Sequence, residues 1–142
     1  MQKSLEKITA FILQHHVMTL ATQSNGVVSA CSLFYAYDVK SQSFIVASSE
    51  DTEHIQNIEK SSQVAGNILL ETKSVGKIQG LQLRGEFTLL EKEHLASLYF
   101  QDFPYAKLMR PTLWSIRVSS FKFTDNRLGF GKKLLWKRET TS

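Results

Sequence analysis

One cysteine, two prolines and no long apolar run in 142 residues already narrow what this chain can be. A lone Cys31 forms no internal disulfide. It lies in the apolar stretch Ala30-Cys31-Ser32-Leu33-Phe34, with no neighbouring base to lower its pKa, and so reads as a buried thiol. The lack of paired cysteines points to a reducing compartment. No segment approaches the roughly 20 apolar residues of a membrane helix, and Met1 to Lys7 lead into no signal-type stretch, so a cytoplasmic protein without membrane contact is expected. There is no His-x-His or His-Glu-x-x-His pattern, and His15, His16, His54 and His94 are scattered, so no metal site is expected. Neither standard glycine-rich phosphate loop is present. Gly129-Phe130-Gly131-Lys132-Lys133 has glycines and lysines but lacks the spacing and the strand-then-helix setting. Repeats, linkers and low-complexity stretches are absent, which leaves one domain over 1–142.

What is present is an ordinary globular composition, 42% hydrophobic and 21% charged. A chain of this length hides roughly 70% of its unfolded surface, enough for a core without staples. The net charge of +4 is local. Arg127, Lys132, Lys133, Lys137 and Arg138 lie in one acid-free segment near the C-terminus, whereas the rest is close to balanced. That pattern suits an anion site or a solvated tail, not a nucleic-acid-coating surface.

Leu5, Ile8, Phe11 and Ile12 recur at helical spacing, predicting a helix from about Ser4 to His16. Val17 to Thr22 reads as a strand. Asn25-Gly26 tolerates positive φ and predicts a tight turn, with Val27 to Tyr37 returning antiparallel. A polar turn over Asp38 to Ser43 precedes a strand at Phe44 to Ala47. A short helix from about Asp51 to Lys60 buries Ile55 and Ile58, and Val64 to Leu70 is the next strand. Gln82 to Leu90 alternates clearly, with Leu83, Phe87 and Leu89 on one face. A helix near Lys92 to Phe100 follows. In Leu113 to Thr124 the apolar phase runs through Trp114, Ile116 and Val118, then slips to Phe121 and Phe123. That slip predicts a β-bulge at Ser119-Ser120. Six strands with inserted helices predict a mainly β (α+β) fold, a six-stranded antiparallel split β-barrel flanked by helices.

Two places suit an anion. Ser48-Ser49-Glu50-Asp51-Thr52-Glu53-His54 joins a strand to a helix, where hydroxyls and free N–H groups can hold a phosphate; its acids equally suit a plain helix cap. Lys132-Lys133 lies beside Gly129 and Gly131, which permit close backbone approach. Trp114 and Trp136 offer either stacking surfaces or packing rings.

His16 to Thr22, the Asn-Gly turn, Ser29 to Asp38, the Ser48 to His54 junction and Gly80-Leu81-Gln82-Leu83-Arg84-Gly85-Glu86 together resemble the pyridoxamine phosphate oxidase-like split barrels. The tail Lys122 to Asn126, with Leu128-Gly129-Phe130-Gly131-Lys132-Lys133-Leu134 and Trp136, is similar to that of a small bacterial branch of the superfamily. The resemblance implies a homodimer with flavin mononucleotide (FMN) at the subunit interface and a small-molecule substrate, with no nucleic acid or membrane partner. By position it implies that Ser48 and Thr52 bind the phosphate, with Ser32, Ser49, His54, Gln82, Trp114, Lys132 and Lys133 also in the cofactor site. Ala30 and Tyr35 stand where the oxidase has cations, and Glu53-His54 replaces an Arg-Lys pair. Pyridoxamine phosphate oxidation itself is therefore not expected, and Lys132 and Lys133 are the candidates to restore positive charge. The function expected is a flavin-dependent oxidoreductase. The alternatives are a cofactor-free binding module, or haem binding through His54 or His94.

Overall fold

The computed structural model describes residues 2–139. Helix α1 (Gln2–Gln14) ends before His15 and His16 and buries Ile8, Phe11 and Ile12. Strands β1 (Val17–Ser24) and β2 (Val27–Phe34) form the expected hairpin, with Asn25 and Gly26 at φ 53° and 78°. Then come β3 (Ala36–Asp38), β4 (Ser43–Ala47), α2 (Glu53–Lys60), β5 (Gln63–Leu70) and β6 (Gln79–Leu89). A short 3-10 turn leads into α3 (Ala96–Asp102), a second turn covers Pro104–Met109, and β7 (Leu113–Asp125) and β8 (Lys133–Lys137) follow.

The eight strands among the described residues belong to one antiparallel sheet ordered β2-β1-β5-β6-β7-β4-β3, with β8 also paired to β7. The six-strand expectation is corrected here. The run Val27 to Tyr37 divides at Tyr35, whose N–H donates to the carbonyl of His16 and whose hydroxyl donates to that of Ile12. Beyond that residue the chain pairs with β4 and no longer with β1. The opposite ends of the strand order, β2 and β3, are thus joined by a single residue, and the sheet must curl into a barrel to allow it. The eighth strand is the basic tail: Leu134 and Trp136 turn inward and pack on the main core.

The predicted bulge is present. Arg84 pairs with Ser120 and the next residue, Gly85, with Val118, which leaves Ser119 as the extra residue. Its hydroxyl donates to the Arg84 carbonyl at 3.0 Å, while its own carbonyl accepts the Arg138 N–H. The bulge inverts the phase of β7, so Val118 and Phe121 both point inward.

The main core fills the barrel. Phe44 is fully buried and meets Tyr35 edge-on at 5.0 Å, Tyr37 at 4.7 Å and Phe121 at 6.4 Å between ring centres. A smaller cluster under α3 joins Ala36, Ile45, Leu95 and Tyr99. Cys31 is only half-buried, because it sits on the edge strand β2, and burial still pushes its thiol pKa up. Among the described residues no helix is long and apolar enough to cross a membrane.

Candidate functional site

Strand β4 ends and α2 begins around a cleft of about 770 Å³, lined by Ser48, Ser49, Glu50, Asp51 and Thr52 on one side. The far wall comes from Tyr99 of α3 and from Ala106, Met109 and Arg110 of the proline-bracketed segment. Ser48 is fixed at both ends of its peptide unit: its N–H donates to the Thr112 carbonyl at 3.1 Å, and its carbonyl accepts the Trp114 indole N–H at 3.0 Å. Trp114 is itself buried against Phe87, so it anchors the junction and does not line the cleft. Ser49 and Thr52 close a tight turn, in which the Thr52 hydroxyl donates to the Ser49 carbonyl at 2.8 Å.

His54 completes the cluster. Its Nε2 lies 2.7 Å from the Ser48 hydroxyl and 3.4 Å from that of Thr52. Since the Thr52 proton is committed to Ser49, the tautomer of His54 that can serve both hydroxyl oxygens is the one protonated on Nε2, and with it the Ser48 proton is free for the cleft. The Thr52 side chain makes no bond to the first turn of α2, so N–H donors of that turn stay open to an anion.

Burial holds the His54 pKa below its ordinary value of 6.5. The unfolded chain therefore takes up a proton more readily than the fold does. The stability that neutral His54 contributes is present above about pH 6.5 and is lost as pH falls through the folded value. His15, lowered first by burial and then by the charge of His16, acts in the same direction. The variant His54→Gln is expected to lose less melting temperature than the parent between about pH 7 and pH 5. Equal losses in thermal melts would assign the acid sensitivity to other groups.

Thus Ser48, Ser49, Thr52 and His54 come together, with Trp114 behind them. The other expected site residues lie elsewhere. Ser32 and Gln82 are exposed on the outer sheet face, in one transverse row running Ser32, Thr19, Asn67, Gln82, Lys122. Lys133 pairs with Thr124 and donates to its hydroxyl at 2.8 Å; Lys132 donates its backbone N–H to Gly129. Ala47 pairs with Leu113 at the opposite end of β7, roughly 35 Å of strand contour away from Thr124. Within one chain the two lysines do not reach the junction.

The tail's other polar residues hold its own turn together. Asp125 takes the Arg127 guanidinium at 3.0 and 3.1 Å and the Arg127 N–H at 3.0 Å. These bonds keep its carboxyl below the usual range. The Asn126 amide donates to the Val75 carbonyl at 2.9 Å. Arg138 spends its guanidinium on the carbonyls of Val118, Ser41 and Gln42. The basic segment is therefore partly consumed by structure.

Arg110 lines the candidate cleft and carried no signal in the sequence. It sits at φ 48° immediately before Pro111, in a left-handed conformation that side-chain-bearing residues adopt at a cost. Its segment lies between Pro104 and Pro111, and only the fold brings it across from Ser48. Among the described residues, no group of three or more His, Cys, Asp or Glu could hold a metal ion.

The fold is shared with a heme binding protein from Mycobacterium smegmatis: TM-score 0.77 and 18% identity, covering 94% of this chain and 57% of that one. An FAD-binding protein from Mesorhizobium loti matches with TM-score 0.68 and 12% identity over 82% of this chain and 89% of its own. A proposed pyridoxamine 5'-phosphate oxidase from Listeria innocua matches with TM-score 0.69 and 16% identity over 84% and 96%. At such identities the likeness is one of fold, and it establishes the split barrel with flanking helices. No family model matches the chain. In sequence, the UPF0306 protein YhbP of Escherichia fergusonii is 35% identical over 141 residues, covering 97% of this chain and 96% of the relative. A UPF0306 protein of Citrobacter koseri is 35% identical over 139 residues, covering 96% and 95%. The chain belongs to the UPF0306 family.

Proposed function

We propose that the chain binds FMN, with its phosphate in the Ser48–Thr52 cleft, and acts as a flavin-dependent oxidoreductase. One observation carries this reading: Ser48, Ser49 and Thr52, the residue that precedes α2, line one cleft together with Arg110. That donor set fits a phosphate, which wants several N–H and O–H donors and a guanidinium. Glu50 and Asp51 line the same cleft and work against a dianion. Arg110 offsets one of them, and a cation from a second copy, with Lys132 and Lys133 the candidates, would offset the rest.

Dimerisation has independent physical support. β2 ends the strand order, and Val27 and Val28 on it are 70% and 75% exposed. A long apolar edge strand of this kind invites pairing with another chain. Phe34 at its other end is also exposed and meets Phe103 near the cleft's far wall.

When bound, the flavin supplies hydride or electron transfer, and the protein's part is to position it. Here His54 fixes the Ser48 hydroxyl, and Trp114 and Thr112 fix the Ser48 backbone, so the donors are in place before the phosphate arrives. The fold relatives that bind FAD or haem name the competing outcomes. His54 suits haem poorly because its Nε2 is engaged by Ser48, and His94 is exposed beyond the cleft.

The test is a titration of the purified protein with FMN and with riboflavin, read by flavin fluorescence. FMN is expected to bind at least about tenfold tighter, since only it carries the phosphate. Equal affinities would overturn the phosphate site. No flavin binding, with a haem Soret band forming on haem addition, would overturn the flavin reading altogether.

A further inference from the structure

The outer face of the sheet holds a second cleft, about 590 Å³, on β5 to β8 and away from the Ser48 junction. Its position follows from register. Arg84, Ser120 and Lys137 form one transverse row, and Gln82, Lys122 and Leu135 form the next. Alternation places all six on the outward face. Ser120, the smallest of them, separates Arg84 from Lys137 by two strand spacings, roughly 10 Å between backbones. A notch flanked by two cations results, with the Lys122 ammonium beside it.

The bulge builds this notch. Ser119 is squeezed out of the ladder, bonded to the Arg84 carbonyl on one side and to the Arg138 N–H on the other. That pins β6, β7 and the end of β8 together where the strands bend. The lining contains no carboxylate. Among the described residues the single ion pair is Arg127 with Asp125, so Arg84, Lys122 and Lys137 are not neutralised. Glu86, one outward position farther along β6, does not reach the lining. The rest of the lining is largely apolar: Leu135 is 62% exposed, and Ala65 and Gly66 lie on the β5 side, beyond Arg84.

We infer that this cleft binds a small anion with an apolar body, of the aromatic carboxylate class. The carboxylate sits between Arg84 and Lys137 over Ser120, where the planar Arg84 fork matches its two oxygens. The apolar body extends over Leu135, which lies one outward position from Lys137 along β8. Neither the phosphate cleft nor any residue in it takes part, so the inference stands whether or not flavin binds at Ser48.

The experiment is an amide chemical-shift titration of the full chain with 1-naphthoate, and in parallel with the neutral 1-naphthalenemethanol. Naphthoate is expected to shift the amides of Arg84, Ser120, Lys122 and Lys137 at concentrations where the alcohol does not. The double variant Arg84→Gln/Lys137→Gln, which removes both charges but keeps a polar side chain at each position, is expected to weaken naphthoate about tenfold. Lys73→Ala/Lys77→Ala, which removes the same charge from an exposed turn, is expected to leave it unchanged. Equal shifts from both compounds would reduce the cleft to an apolar patch and overturn the proposal. So would displacement of naphthoate by FMN, which would hand the cleft to the flavin. Concentration-dependent shifts of these amides without ligand would show a second copy covering the face, and would overturn it too.

Discussion

Gly85→Ala is expected to destabilise the protein by about 3 kcal/mol, lowering the melting temperature by about 10 °C. A Cβ at residue 85 would lie 2.5 Å from the Arg117 carbonyl oxygen, 3.1 Å from its carbon and 3.1 Å from Ile116 Cγ2. None of these can yield cheaply. Arg117 is held between Ser43 of β4 and Glu86 of β6, and the adjacent Val118 N–H donates to the Gln42 carbonyl at 3.1 Å. Ile116 is fully buried. The two longest strands would have to separate just where the bulge draws them close. Gly76 supplies the comparison: a Cβ there meets nothing within 4 Å, so Gly76→Ala is expected to stay within about 0.5 kcal/mol of the parent. Paired thermal melts decide it. A Gly85→Ala protein melting with the parent would mean that β6 and β7 part at the bulge without cost.

The bulge is also where the sequence was most informative. Trp114, Ile116 and Val118 followed by Phe121 and Phe123 cannot share one face of a regular strand, and an apolar core forces the extra residue at Ser119. The N-terminal helix and the Asn25-Gly26 hairpin were legible for equally local reasons: helical spacing of Leu5, Ile8, Phe11 and Ile12, and a dipeptide that accepts positive φ. Legibility failed where the decision was tertiary. Val27 to Tyr37 is one apolar-rich run, and nothing in its composition shows that Tyr35 hands the chain from one edge of the sheet to the other. The bond from its hydroxyl to Ile12, twenty-three residues earlier, makes that break. Lys133 to Lys137 drew notice for charge, although Leu134 and Trp136 alternate with it and form a strand.

The candidate site divides the same way. Ser48, Ser49, Thr52 and His54 were readable because a strand-to-helix junction is a local feature. Trp114 was readable as a ring, but its function as the anchor of the Ser48 carbonyl depends on β4–β7 pairing. Arg110 carried no signal of its own, since its place opposite Ser48 comes from the path of the proline-bracketed segment over α3.

Arg110 is also the residue on which the proposed flavin site most depends. With Glu50 and Asp51 in the cleft wall, hydroxyl and N–H donors alone leave a phosphate beside uncompensated like charge. A charge-assisted hydrogen bond contributes about 1.5–3 kcal/mol, so Arg110→Ala is expected to weaken FMN binding about 10- to 100-fold. Riboflavin, which lacks the phosphate, is expected to bind the variant and the parent alike. Arg110→Gly separates binding from folding. At φ 48° glycine relieves a conformation that arginine adopts at a cost, so this variant is expected to melt at or slightly above the parent temperature while losing FMN to the same degree. Flavin fluorescence titrations and thermal melts on the two variants give the answer. If FMN affinity is unchanged, the phosphate does not meet Arg110. If FMN and riboflavin weaken equally, the side chain acts by packing the cleft wall, and the anion must be held by another cation.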